Sequence, residues 1–264
     1  MYNFEYQRPQ SLADAAKAIA GKEEAKLLAG GMTLIPTLKQ RLARPSDLID
    51  LGRIAELKGI KRDGNAVVVG AMSRHVEVAT SDVVTGAIPA LAHLAGHIGD
   101  PQVRNRGTIG GSVANNDPAA DYPAAVLALN ATVITNKRKI AADDFFKGMF
   151  ETALAPDEII TAVSFPVPEK AAYVKFPNPA SRYAVVGVMV ARTGGGVRVA
   201  VTGAGPVVFR QKEMEAALGK SWSADAVASI KQNAAGLNSD IHASAEYRAH
   251  LVTVMAKRAV QAAG

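Results

Sequence analysis

Two short glycine turns constrain this chain more than any other feature: Lys26-Leu27-Leu28-Ala29-Gly30-Gly31-Met32-Thr33, and, about eighty residues later, Arg104-Asn105-Arg106-Gly107-Thr108-Ile109-Gly110-Gly111-Ser112. Each follows an apolar stretch and leads into a helical pattern. Paired glycines at such a junction let bare backbone N–H groups approach an anion, most simply a phosphate. Two of these turns, brought together, are expected to clamp one pyrophosphate. A third glycine run, Gly194-Gly195-Gly196, lies between two apolar alternating segments and reads as a hairpin tip.

Competing nucleotide motifs are absent. The doubly wound dinucleotide fold needs Gly-x-Gly-x-x-Gly after its first strand, and a P-loop needs Gly-Lys-Ser/Thr after a glycine spaced before it; the chain has neither full pattern. Gly203-Ala204-Gly205 is followed by Pro206 and reads as a turn. No Gly-x-Ser-x-Gly elbow is present, so a serine hydrolase is excluded.

The run from Gly99 to Pro123, Gly-Asp-Pro-Gln-Val-Arg-Asn-Arg-Gly-Thr-Ile-Gly-Gly-Ser-Val-Ala-Asn-Asn-Asp-Pro-Ala-Ala-Asp-Tyr-Pro, resembles the FAD-binding subunit of molybdenum-containing hydroxylases: the carbon monoxide dehydrogenase medium subunit and the xanthine dehydrogenase flavin portion. The first turn, continuing Leu34-Ile35-Pro36, is similar to that family's other FAD loop. The resemblance extends to Ser244-Ala245-Glu246-Tyr247-Arg248. It implies an α+β fold, a two-lobed FAD-binding domain of the PCMH type followed by a smaller C-terminal domain with an antiparallel sheet and helices. Prolines 166, 168, 177 and 179 punctuate the junction, so the expected division is 1–168 (lobes of about 1–53 and 54–168) and 169–264.

The same resemblance implies an oxidoreductase role. The chain would carry FAD and pass electrons from iron–sulfur clusters of a partner to an external acceptor. A molybdenum cofactor in a large partner subunit and [2Fe-2S] clusters in a small one would complete the complex, expected as a dimer of heterotrimers. Two other readings stand beside it. A stand-alone FAD-dependent reductase of the same broad fold would need a proton donor in its own substrate pocket, and a non-catalytic nucleotide-binding module would lack a ring site.

The site residues follow from the turns and the resemblance. Ala29, Gly30, Gly31, Met32 and Thr33 form the first loop; Thr108, Ile109, Gly110, Gly111 and Ser112 form the second. The hydroxyls of Thr33, Thr108 and Ser112 can donate to phosphate or ribityl oxygens, or cap the helices that follow. By resemblance Asp121 contacts the flavin side, with a carboxylate favoured at the positive start of a helix as the plain alternative; Lys175 lies near the flavin ring as a cation for its reduced form, and Tyr183 lies beside the isoalloxazine. A solvated surface lysine and a packing tyrosine are the plain alternatives for the last two. No residue is expected to act as a catalytic acid or base. Met32 departs from the polar residue frequent in that loop, and with no cysteine in the chain the flavin is expected to be noncovalent.

Composition narrows the partners. Iron–sulfur clusters are held mainly by Cys thiolates, so a chain with 0 Cys holds none. His93 and His97 have the i, i+4 spacing of a zinc helix, but Leu94 stands where a metalloprotease needs Glu, and no metal site is expected. The net charge of +6 comes without a basic run or aromatic stripe, so nucleic-acid binding is not expected. There is no apolar run of membrane-spanning length and no signal-peptide pattern at Met1-Tyr2-Asn3-Phe4-Glu5, and the expected location is the cytoplasm.

The coarse pattern predicts helices over 11–19, 33–42, 76–80, 88–96, 224–230 and 245–262, and strands over 25–29, 47–51, 66–70, 132–135, 159–165, 185–191 and 197–202. Asp117-Pro118 reads as an N-cap with Pro at the first helical position, opening a helix through Ala131.

Overall fold

The computed structural model describes residues 1–264. The first lobe is a small α/β unit: β1 (Glu5–Gln7), α1 (Leu12–Ile19), β2 (Lys26–Leu28), α2 (Leu34–Lys39) and β3 (Asp47–Asp50). Its sheet is parallel with order β1-β3-β2, because each strand returns through a helix. Ser11 caps α1 by accepting from the Asp14 amide, and Ala15 and Ile19 turn inward onto Ile49 and Leu51. The expected buried strand at 25–29 is shorter and half-covered, since β2 is a sheet edge whose Lys26 faces solvent.

The second lobe contains β4 (Ile60–Asp63), β5 (Ala66–Gly70), α3 (His75–Thr80), α4 (Asp82–Ala87), α5 (Pro89–Gly96), α6 (Pro101–Arg104), α7 (Ile109–Asn115), α8 (Tyr122–Ala128), β6 (Thr132–Thr135), β7 (Lys139–Ala141), α9 (Ala142–Phe145), β8 (Phe146–Gly148), β9 (Glu151–Thr152) and β10 (Ile160–Pro166). Five strands form one antiparallel sheet, β4-β5-β10-β6-β7, and β8 and β9 form a separate hairpin. Alternate residues Val67, Val69, Val133, Val163 and Phe165 enter a core shared with α5 and α8.

The remaining residues form a four-stranded antiparallel sheet, β11 (Lys170–Pro177), β12 (Ala184–Thr193), β13 (Gly196–Thr202) and β14 (Phe209–Arg210), with α10 (Lys212–Lys220), α11 (Ala224–Ala228) and α12 (Ala245–Ala263). Strand β12 is buried on both faces. Met189 and Ala191 join the core of the second lobe, while Val186, Val188 and Val190 pack with Met214, Leu218, Val252 and Met255 of the closing helices. The C-terminal sheet is therefore the middle layer of a continuous stack. Arg198 reinforces the contact with two bonds to Asp143, 2.8 and 3.0 Å. No helix is long and apolar enough to cross a membrane.

The helix expected from Asp117 does not begin there. Asn116 ends α7 in the left-handed conformation (φ 44), and its side-chain amide donates to Gly148 and Glu151 carbonyls, both at 2.8 Å. Asp117 then turns the chain by accepting from the Ala119 amide, and the Pro118 carbonyl accepts from the Gly203 amide of the C-terminal sheet. Only at Tyr122 is the backbone free to coil, with Pro123 in the first turn. Sequence reasoning also passed over the short elements β1, β4, α4, α6, β7, α9, β8, β9 and β14, and over the longer β11 and α10; β11 tolerates its closing Pro177 because the register shifts there.

Candidate functional site

The two glycine turns meet. Gly30 faces the backbone of Arg106 and Gly107 so closely that a Cβ there would overlap the Arg106 carbonyl. Between the turns, the first lobe and the β11–β12 region lies a cavity of about 680 Å³, a size suited to a cofactor. One end is buried and mainly apolar, with Leu51, Met72, Ile159 and Ile160; the other opens to solvent past Met32, Phe150, Arg182 and Tyr183. Among the residues expected at the site, Ala29, Gly30, Gly31, Met32, Thr33, Thr108, Gly110, Gly111, Ser112, Asp121 and Tyr183 line this cavity. Ile109 and Lys175 do not. Ile109 is fully buried in the core.

The loops differ in what they offer an anion. In the first, the amides of Gly30, Gly31, Met32, Thr33 and Leu34 donate to no protein acceptor, and Gly31 holds φ +77, a conformation that leaves these donors in succession. Such a row of unpaired donors requires a ligand or water. In the second, the Ile109 amide donates to the Ser73 carbonyl (3.1 Å) and the Gly110 amide to the Ala71 carbonyl (2.8 Å). The expectation that Gly110 bares its backbone to the ligand is thus corrected. A Cβ at Gly110 would lie 2.6 Å from the Ala71 Cβ, so glycine serves close helix-to-strand packing there. What the second loop presents to the cavity is hydroxyl chemistry. Thr108 caps α7 by accepting from the Gly111 amide (3.2 Å), and the Ser112 hydroxyl has no protein partner.

At the open end Asp121 is buried, and its carboxylate is held from behind. The Tyr173 hydroxyl donates to it at 2.5 Å, and the Lys175 ammonium spans both oxygens at 3.0 and 3.2 Å before donating to the Arg182 carbonyl at 2.8 Å. Burial pushes the Asp121 carboxyl up from its ordinary range, against the pull of Lys175 and Tyr173. Lys175 is neither a solvated surface group nor a bare cation on the cavity wall; its charge is taken up by Asp121. Tyr183 is about half exposed at the rim, and its hydroxyl is pushed up by desolvation and by the charges of Asp117 and Asp121.

Sequence reasoning missed three wall residues. Glu158 is held ionised, down to about 2, by the Arg138 guanidinium together with the Ala155 amide and the Thr135 hydroxyl. Phe150 sits at positive φ at the tip of the β8–β9 hairpin. His75 is 4% exposed, packs beneath Gly107 and 5.4 Å from the Tyr122 ring, and its Nδ1 has no protein partner. No spacing marked it, because its neighbours come from distant segments. Burial, with Arg104 nearby, lowers its pKa to about 4. The unfolded chain therefore binds a proton between about pH 6.5 and 4 that the folded chain refuses, and stability should fall as pH drops through that window. Urea unfolding of the cofactor-free chain at pH 7 and pH 5 should show a loss on the order of 2 kcal/mol from this group, absent in His75→Gln.

The comparisons agree with this architecture. Residues 2–168 match the FAD binding domain in molybdopterin dehydrogenase, and residues 171–263 match the CO dehydrogenase flavoprotein C-terminal domain. The chain is 36% identical to the carbon monoxide dehydrogenase medium chain of Hydrogenophaga pseudoflava over 98% of its length and 96% of that protein. It is 37% identical to the nicotine 6-hydroxylase medium subunit of Paenarthrobacter nicotinovorans, with 98% and 96% covered. A reconstituted CO dehydrogenase from Oligotropha carboxidovorans superposes with a TM-score of 0.92 at 34% identity, covering 99% of this chain and 98% of that one. The class is that of FAD-binding oxidoreductase subunits. This chain belongs to the medium-subunit family of molybdenum hydroxylases, the group containing the carbon monoxide dehydrogenase and xanthine dehydrogenase flavin subunits.

The residues present suit FAD. The unpaired amides of the first loop supply donors for a pyrophosphate, the buried apolar end suits an adenine, and the open polar end suits a redox ring that must exchange electrons with another molecule.

Proposed function

We propose that this chain holds one FAD noncovalently in the cavity and relays electrons from the iron–sulfur clusters of a small partner, fed by a molybdenum centre in a large partner, to an external acceptor. The row of unpaired amides from Gly30 to Leu34 on the cavity wall carries this reading. The first loop binds the pyrophosphate through these amides; Thr108 and Ser112 add hydroxyl contacts, Gly111 and Ile109 shape the second loop, and Tyr183 borders the ring. Bound flavin supplies the redox chemistry, and the protein contributes binding, orientation and electrostatics. Residues 1–168 form the cofactor domain, with lobes dividing near 53, and 169–264 close the ring end. The working complex is a dimer of heterotrimers in the cytoplasm. Relatives are named for carbon monoxide, nicotine and glyceraldehyde, so the oxidised substrate belongs to the large partner and not to this chain.

The purified chain should contain one FAD, released intact by acid or heat. With no cysteine and Met32 in the first loop, neither offers an attachment point. Chromatography of the denatured supernatant tests this. Stoichiometric FMN, or flavin that stays with the precipitate, would refute it.

A further inference from the structure

The open end of the cavity carries one buried ion pair with a definite polarity. Asp121 lines the cavity; Lys175, 7% exposed at its side chain, does not. Tyr173 completes the support from β11, and its hydroxyl fits only because residue 187 on β12 is glycine, where a Cβ would overlap it. Lys175 and Tyr173 sit two residues apart on one strand and so project to the same face, both toward Asp121. The other charged or titratable groups around the carboxylate are the buried Tyr122 next to it in the chain, His97, whose charge would act on it from α5's end, and Asp117 and Tyr183 on the cavity side.

We propose that Lys175 is a positioning residue: with Tyr173 it fixes the Asp121 side chain as a carboxylate, and that negative charge, not the ammonium behind it, is what the redox ring of the cofactor meets. The inference rests on the function proposed above. A cation directly at the ring would favour the electron-rich reduced cofactor. A carboxylate nearer the ring than its counter-ion opposes reduction and keeps the cofactor a willing donor to the next acceptor. Removing the lysine leaves a buried carboxyl without its partner, and such a group takes up a proton in preference to remaining charged. Loss of Lys175 therefore removes both charges.

This predicts an order that a direct role for the lysine cannot give. The measurement is the midpoint potential of FAD bound to the full-length chain, for wild type, Lys175→Gln, Asp121→Asn and the double variant. Lys175→Gln should raise the potential slightly, the double variant should match it, and Asp121→Asn, in which the Arg182 carbonyl still accepts from the ammonium and the Asn oxygen can do so too, keeps a positive charge there and should raise it most. Lys175→Arg should restore the wild-type value. Infrared spectra of chain labelled at Asp carboxyls should show a new protonated-acid C=O band in Lys175→Gln that is missing from the wild type and from the double variant. This band can be read even where a variant binds FAD weakly. A lowered potential in Lys175→Gln, equal potentials in all variants, or no acid band would overturn the proposal. Failure of the wild-type chain to bind FAD would instead overturn the function on which it rests.

Discussion

Gly31→Val should lose about 100-fold in FAD affinity while the chain remains folded, whereas Gly110→Val should lose fold stability together with the cofactor. The two glycines are alike in sequence and unlike in role. At Gly31 the backbone has φ +77, which a β-branched residue adopts only at a cost, and the nearest obstruction to a Cβ is the flexible Ile35 side chain at 2.9 Å. The loop can relax away from this conformation, but in doing so it disperses the amides of Gly30 to Leu34. A 100-fold loss corresponds to about 2.7 kcal/mol, the worth of one or two hydrogen bonds to a charged phosphate. At Gly110 the obstruction is the backbone of Ala71, at 2.7 Å from its carbonyl oxygen, and α7 would have to separate from the strand that precedes α3. Overpacking there should cost about 3 kcal/mol or more. Flavin-fluorescence titration and thermal unfolding of both variants separate the cases. Unchanged FAD affinity in Gly31→Val would end the amide-cradle model.

That contrast shows where sequence reading stopped. The turns were legible not from the paired glycines alone, of which the chain has others, but because their setting matched a known family, so the cavity's two principal walls could be named in advance. Most regular elements were legible for similar local reasons: the Ser11 cap, the alternation along β12 and β13, the Gly194–Gly196 tip. Which partner each glycine avoids was not legible, since Arg106 lies about seventy-five residues from Gly30, and Ala71 about forty from Gly110. The polarity of the Asp121–Lys175 pair was hidden for the same reason. Family likeness placed a lysine near the flavin, but only the fold shows that Asp121, not Lys175, lines the cavity. The false helix start at Asp117-Pro118 has a related origin. Its local signal is a good N-cap, overridden by Asn116 in the left-handed region and by the bond from the Gly203 amide to the Pro118 carbonyl.

The purified single chain should not oxidise carbon monoxide, purines or N-heterocycles with any dye acceptor, a difference from the assembled enzyme of the full turnover rate. Oxidising such substrates adds an oxygen atom taken from water and releases two electrons, which requires a metal centre to activate the water and clusters within tunnelling reach to carry the electrons away. With 0 Cys the chain has no thiolates for a cluster, and it contains no group of three or more His, Cys, Asp or Glu side chains placed to hold a metal ion. Mixed with a large molybdenum-bearing partner and a small cysteine-rich one, the same chain should show substrate-dependent bleaching of its flavin absorbance. Its +6 charge gives one further handle. If the excess lies on the contact face, assembly should weaken as salt shortens the Debye length from about 10 Å at 0.1 M to about 3 Å at 1 M. Sedimentation of the mixture across that range reads the assembly, and stopped-flow bleaching reads the electron transfer. Turnover by the chain alone would contradict the assignment, because the metal centre and the clusters it calls for lie in other polypeptides.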